Sequence, residues 1–313
     1  MRVYVGITDR DWFEMLSAMR PDEVNFWKPG ERGSFGSLKQ GELFLFKLHS
    51  PLNYIVGGGY FVRFVPDLPV SFVWDAFREK NGVRSMGEFL TRIRKYRAGV
   101  VDADPKIGSI VLTEPFWFPR DAWIPAPADW PKSTVQGKGF DALDGRGHEL
   151  VAQVRERLGQ PTEPELAIPG DFVRERDRGR ERYGEAVRKV RLGQGGFQVE
   201  VVEAYERRCA LTGEKTLPVL QAAHIVPYSE GGEHEVQNGL LLRSDMHTLF
   251  DRGYLTITPD YRVEVSAQIQ EQFTNGKLYY SYHGQELRSL PSESRRRPSA
   301  EFLQWHNDRV FVP

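Results

Sequence analysis

Over the first 120 residues apolar positions fall in short runs, and after about residue 195 the pattern changes. RVYVGIT (2–8) reads as a strand, and in the DRDWFEMLSAM that follows the apolar residues recur at helical spacing. LFLFKLH and NYIVGGGYFVRFV are two apolar runs separated by a Pro-containing turn, and IGSIVLTEPFWF is a later strand. Between them SFVWDAFREKNG and MGEFLTRIRKYR have the stripe of amphipathic helices. The Pro-rich WIPAPADWPKS closes this first region.

The next stretch is polar. ELVAQVRERL and DFVRERDRGRERYGEAVRKVR are helix or linker candidates, and residues 171–192 hold eight basic and five acidic side chains. Two readings stand for that basic segment, a solvated helix face and a contact to a phosphate backbone through Arg188, Lys189 and Arg191. From FQVEVVEAYERRCALTG onward the order is an amphipathic helix ending near Arg208, a strand in LPVLQAAHIVP, a loop in YSEGGEHEVQN, then a strand and a helix in GLLLRSDMHTLFDRGY. RRRPSAEFLQWHNDRVF ends the chain with a basic triplet and a helix, which Trp305 is expected to pack. Arg295–Arg297 read equally as phosphate contacts or as a solvated turn. This organisation predicts units at 1–135, 136–195 and 196–313.

Composition changes the picture little. The 313 residues carry a formal net charge of −1 and are 40% hydrophobic, as in an ordinary soluble protein, which counts mildly against a nucleic-acid binder. Residues 196–313 hold twelve basic and sixteen acidic side chains, so that unit is expected to grip DNA weakly alone. Cys209 is the only cysteine, which excludes an intrachain disulfide and a Cys-rich zinc site and points to a reducing cytoplasm. No secretory signal or membrane span is expected.

The chemistry concentrates at 221–254, QAAHIVPYSEGGEHEVQNGLLLRSDMHTLFDRGY, which holds three of the seven histidines. His224 ends a strand beside a proline, and an imidazole near neutral pKa suits a general base. Asn238 starts the second strand, where its amide can tie the loop across and fix the imidazole. His247 and Asp251 stand one helical turn apart and can point at one ion. His234 reads as a loop residue, and Asp245 as a surface residue or a spare acid near the metal.

This spacing, with the CALTG, AAHI, NGLLL and HTLFDRG blocks over roughly 197–258, resembles the HNH nuclease family and its ββα-metal fold. The resemblance implies His224 as general base, Asn238 as the loop-holding asparagine and His247 as metal ligand. It implies Mg²⁺ or Mn²⁺ held by His247 and Asp251 with substrate phosphate and water, and no structural zinc is expected. Ala223 departs from the common pattern, in which a ligand precedes the base. NFWKPG…GELFLFKLHSPLNYIVGGGYFV resembles the PUA-like superfamily with its EVE and SRA groups, which implies a β-barrel that reads modified bases. The candidate pocket is Trp27, Phe26, Asn25, His49, Asn53 and Tyr54, with Phe35, Tyr60 and Trp117 as further aromatics. For each aromatic, core packing is the competing reading. Gly57–Gly59 serve either close approach of a ligand or a bulge.

Together these readings predict an α+β protein: a PUA-like β-barrel, a helical connector and a C-terminal ββα-metal nuclease. The expected activity is metal-dependent cleavage of double-stranded DNA carrying modified cytosine, defending a prokaryotic cytoplasm against phage, by a monomer or a homodimer, with Arg243 as a further backbone contact. The rivals are an HNH nuclease of unmodified DNA or repair, and a DNA-binding protein whose catalysis has decayed.

Overall fold

The computed structural model describes residues 1–30, 35–97, 102–128, 130–131, 134, 136–143, 145–159, 192–273 and 276–313. Arg188, Lys189, Arg191 and most of the expected connector lie outside them. In chain order the first elements are β1 (Arg2–Thr8), α1 (Arg10–Met19), β2 (Glu23–Lys28), β3 (Leu43–Leu48), β4 (Tyr54–Pro69), α2 (Val70–Phe77) and α3 (Met86–Tyr96). Next come β5 (Lys106–Trp117), β6 (Ile124–Pro125), β7 (Gly137–Asp141), α4 (Gly145–Arg157) and α5 (Gln194–Ala204). The last are β8 (Leu220–His224), β9 (Gly239–Arg243), α6 (Ser244–Asp251), β10 (Leu255–Ile257), β11 (Val263–Val265), α7 (Gln268–Phe273), α8 (Lys277–Tyr280) and α9 (Ala300–Arg309). Among the described residues one compact unit takes 1–66, 79–97 and 107–159, and a second takes 67–78, 102–106 and 192–313.

The first unit is a seven-stranded sheet in the order β2-β5-β4-β3-β1-β7, with β6 branching from β4. β1 and β3 run parallel, from Val3 against Leu43 to Thr8 against Leu48. The apolar run of β3 is buried at every position, because alternate side chains feed two cores. Phe44 and Phe46 meet Trp12 and Leu16 of α1 on one side, whereas Leu43 and Leu45 join Leu150, Val151 and Val154 of α4 on the other. A sheet covered on both faces has no use for a polar stripe, which is why these strands read as unbroken apolar runs. The expected barrel is corrected here: the strand path is open from β2 to β7, and no pairing among the described residues closes it. Gly58 serves this packing, since a Cβ there would lie 2.6 Å from the Phe44 carbonyl oxygen and from the Phe116 ring.

The second unit is built around the β8–β9 hairpin, which pairs Leu220 with Arg243 and His224 with Gly239. Phe197 and Val201 of α5, Leu240–Leu242 of β9, Met246 and Phe250 of α6, and Leu303 of α9 are all buried in its core. α5 is apolar almost all round rather than amphipathic, and it stops at Ala204 rather than near Arg208. The chain leaves it through Glu206 and Arg207, both at positive φ (52° and 58°), a conformation that ends a helix. The single cysteine supports the CALTG turn: the buried Cys209 Sγ accepts the backbone N–H of Thr212 at 3.4 Å and of Arg243 at 3.3 Å. Arg296 pairs with the buried carboxylate of Glu200 at 2.5 Å, so this member of the basic triplet ties the tail to α5, while Arg295 is exposed. α9 docks through Leu303 and His306 rather than through Trp305.

His306 is sunk in this core at 2% exposure, its ring stacked 3.7 Å from that of Phe250. Its Nδ1 meets the Thr256 hydroxyl at 2.8 Å and its Nε2 the Phe250 carbonyl at 3.1 Å. Burial pushes its pKa down to about 4. The folded state therefore holds the neutral ring while the unfolded chain takes a proton below about pH 6.5. Stability contributed above that pH is lost as pH falls from about 6.5 towards 4, on the order of 3 kcal/mol. Urea unfolding between pH 7.5 and 4 should show the midpoint falling across this window, with a shallower fall in His306→Gln.

Candidate active site

The turn between β8 and β9 is fixed by one side chain. Asn238 is fully buried, and its Oδ1 accepts the Val226 backbone N–H at 2.8 Å. Its Nδ2 donates to the carbonyls of Val226 at 2.9 Å and Glu233 at 3.0 Å. Only an amide offers an acceptor and two donors together at this place. The loop closes against it so tightly that a Cβ on Gly232 would lie 1.9 Å from the Val226 carbonyl oxygen. His224, two residues before Val226, is thereby presented at the strand end.

The His224 ring lies on Phe197 of α5, centroids 4.0 Å apart and nearly parallel at 15°. Its Nε2 is 2.9 Å from Nδ1 of His234, whose ring stacks on Tyr228. Burial, then the neighbouring His234 and His247, push the His224 pKa down to about 4, with Asp251 opposing. The ring is thus neutral, and able to accept a proton, at any ordinary pH.

His247 and Asp251 lie on α6 with Nε2 and Oδ2 3.2 Å apart. The other ring nitrogen of His247 is 2.8 Å from Gln221 Oε1. An amide oxygen only accepts, so Gln221 takes the Nδ1 proton of His247, while Nε2 faces the Asp251 carboxylate, which also only accepts and can be bridged to the ring by a proton or by a cation. That donor set, an imidazole nitrogen and an exposed carboxylate, suits a divalent cation that completes its shell with other oxygens. Among the described residues no group of three or more His, Cys, Asp and Glu could hold a metal. His224, His247 and Asp251 line one cleft of about 790 Å³, whose walls include α2, α5 and β8. Ala223 is fully buried against the core, so this position is spent on packing.

Other expected residues sit differently. Arg243 is held by Asp245 at 2.6 and 2.7 Å. That hydrogen-bonded pairing raises the guanidinium pKa and lowers that of the carboxyl, so both side chains are committed to each other. Arg78, which sequence reasoning did not single out, lines the cleft beside Asp75. In the first unit Asn25 and Trp27 share one face of β2 and bond Asn81, through its Oδ1 at 2.9 Å and its carbonyl at 3.0 Å. Phe26, on the opposite face, packs on Trp12, Phe44 and Phe46. Asn53 accepts from the buried Lys47 at 2.8 Å, His49 faces Asp9, and Tyr54 packs on Trp123. The six candidate pocket residues are therefore divided among five sets of partners. His234, Gln221 and Phe197 were missed, since no local pattern announces a residue that acts by touching another's ring.

The family model described as HNH endonuclease matches residues 209–258. That span carries Asn238, His224, His247 and Asp251, so the protein contains an HNH endonuclease domain and is a nuclease. Among solved structures the chain is similar to one titled modification dependent TagI restriction endonuclease, at 14% identity over 92% of this chain and 75% of that one, with a TM-score of 0.28. Likeness at that level fixes neither fold nor function. No curated protein matches.

Removing the loop tie tests the site's construction. Asn238→Ala leaves the buried N–H and carbonyl of Val226 without their partner, each costing about 1–3 kcal/mol, while the Glu233 carbonyl keeps the Glu235 N–H. It should lower the melting temperature and abolish cleavage together, as read by calorimetry and plasmid nicking.

Proposed function

We propose that this protein is a metal-dependent DNA endonuclease of the modification-dependent type, with the HNH unit cutting and the N-terminal unit reading a modified cytosine. One observation carries the cutting half: His224, His247 and Asp251 line the same cleft within the segment that matches the nuclease family.

His224 accepts the proton of a water that attacks phosphorus, and the 3′ oxygen departs, leaving 5′-phosphate and 3′-hydroxyl ends. His247 Nε2 and Asp251 would hold Mg²⁺ or Mn²⁺, and the bound cation supplies charge stabilisation to the phosphate oxygens. Gln221 accepts from Nδ1 of His247, which orients the ring so that a cation can take the Nε2 lone pair in place of a proton. Phe197 supports the face of the base and shields it from water. Arg78 is the side chain in the cleft wall suited to a phosphate oxygen.

The reading half rests on the N-terminal unit's aromatic cluster, within which the buried Trp117 Nε1 has no hydrogen-bond partner among the described residues. A donor of this kind beside aromatic rings is what a flipped base requires. Double-strand cleavage needs two cuts, which a homodimer of this chain would supply, in a prokaryotic cytoplasm exposed to phage DNA.

His224→Ala should abolish Mg²⁺-dependent nicking while leaving the melting temperature near that of the parent; undiminished cutting refutes the assigned base. Matched plasmids carrying cytosine, 5-methylcytosine or 5-hydroxymethylcytosine should be cut unequally, and equal rates on all three remove the reader. Because the lowered His224 pKa keeps the ring neutral, kcat/KM should stay level from pH 8 down and fall only as pH approaches about 4. A fall centred near pH 6.5 contradicts it.

A further inference from the structure

We propose that His234 is the positioning residue that sets the tautomer and the aim of the general base His224, an inference that rests on the nuclease reading above. Two imidazole nitrogens 2.9 Å apart, His224 Nε2 and His234 Nδ1, share a single proton. If His234 held it, the proton of the neutral His224 ring would sit on Nδ1, and its one lone pair would be tied up in the contact. If His224 holds it, Nδ1 carries the lone pair, and Nδ1 has no hydrogen-bond partner among the described residues. Only the second arrangement leaves a base in the cleft that His224 shares with His247 and Asp251. A neutral His234 can accept at Nδ1 because its own proton then sits on Nε2.

The surroundings hold the two rings in reach, tilted 59° to each other. Phe197 lies flat against His224, and Tyr228 stacks on His234 at 4.9 Å and 8°. The backbone that delivers His234 turns through Gly231 at φ 88° and Gly232, and is held by the Asn238 amide bond to the Glu233 carbonyl. The loop therefore does two things with one fold: it presents the base, and it brings the acceptor that aims it. The arrangement parallels that on α6, where Gln221 Oε1 accepts from Nδ1 of His247 and orients its ring from outside.

The test uses the full-length protein. His234→Leu removes the acceptor and should lower kcat on a Mg²⁺-dependent nicking substrate by about 10–100-fold with KM little changed. His234→Asn places Oδ1 near the lost Nδ1 and should restore most of that loss. Independently of activity, ¹⁵N-histidine NMR of the metal-free protein should show His224 as the Nε2–H tautomer in the parent and in His234→Asn, and a mixture in His234→Leu. A parent His224 in the Nδ1–H tautomer overturns the proposal, as does a His234→Leu variant with parental kcat. Equal loss in both variants with the tautomer unchanged also overturns it, reducing His234 to a loop support. Failure of the nuclease reading looks different: the parent then shows no Mg²⁺-dependent nicking, or His224→Ala nicks as fast as the parent, whatever tautomer the spectrum reports.

Discussion

A buried amide at the root of the β8–β9 loop is the constraint on which the site depends. Asn238 answers the N–H and carbonyl of Val226 and the carbonyl of Glu233. The two Val226 groups have left water and Asn238 is what satisfies them, so the loop has one low-energy course. On that course the strand end carrying His224 and the turn carrying His234 meet. Two glycines make the course sterically possible, but the amide selects it.

Burial then sorts the histidines by chemistry. His306 has both ring nitrogens engaged inside the core and is a packing element that happens to be polar. His224 is covered on one face by Phe197 yet lines the cleft, so desolvation favours its neutral form without shutting it inside the core. His247 is set by an accepting amide oxygen that leaves its second nitrogen beside a carboxylate. One residue type thus takes three roles, decided by what touches each ring.

Much of this was legible in the sequence, and unevenly so. The two apolar strands around the Gly-Gly loop, the helix after them and the i, i+4 placement of His247 and Asp251 all follow from local periodicity, and the structure contains them. The N-terminal strands were legible as apolar runs, but their pairing was not: β1 joins β3 in parallel across an intervening helix and strand, and no local pattern encodes such a long-range choice. The closed barrel failed for the same reason, since closure is a property of edges. The division of Asn25 and Trp27 from Phe26 was available from strand alternation alone, and a sheet covered on both faces obscures it by making every position look interior. His234 and Gln221 were beyond local reading, because their value lies in a partner ten or more residues away.

The thiol of Cys209 has a consequence for how the unit responds to its surroundings. By accepting two backbone N–H groups it pins the turn that leads into the hairpin, and it does so with ordinary protein contacts. Arg243 caps the start of α6, so the same sulfur also anchors the helix that carries His247 and Asp251. Alkylating or oxidising that thiol would therefore loosen a turn and a helix at one stroke.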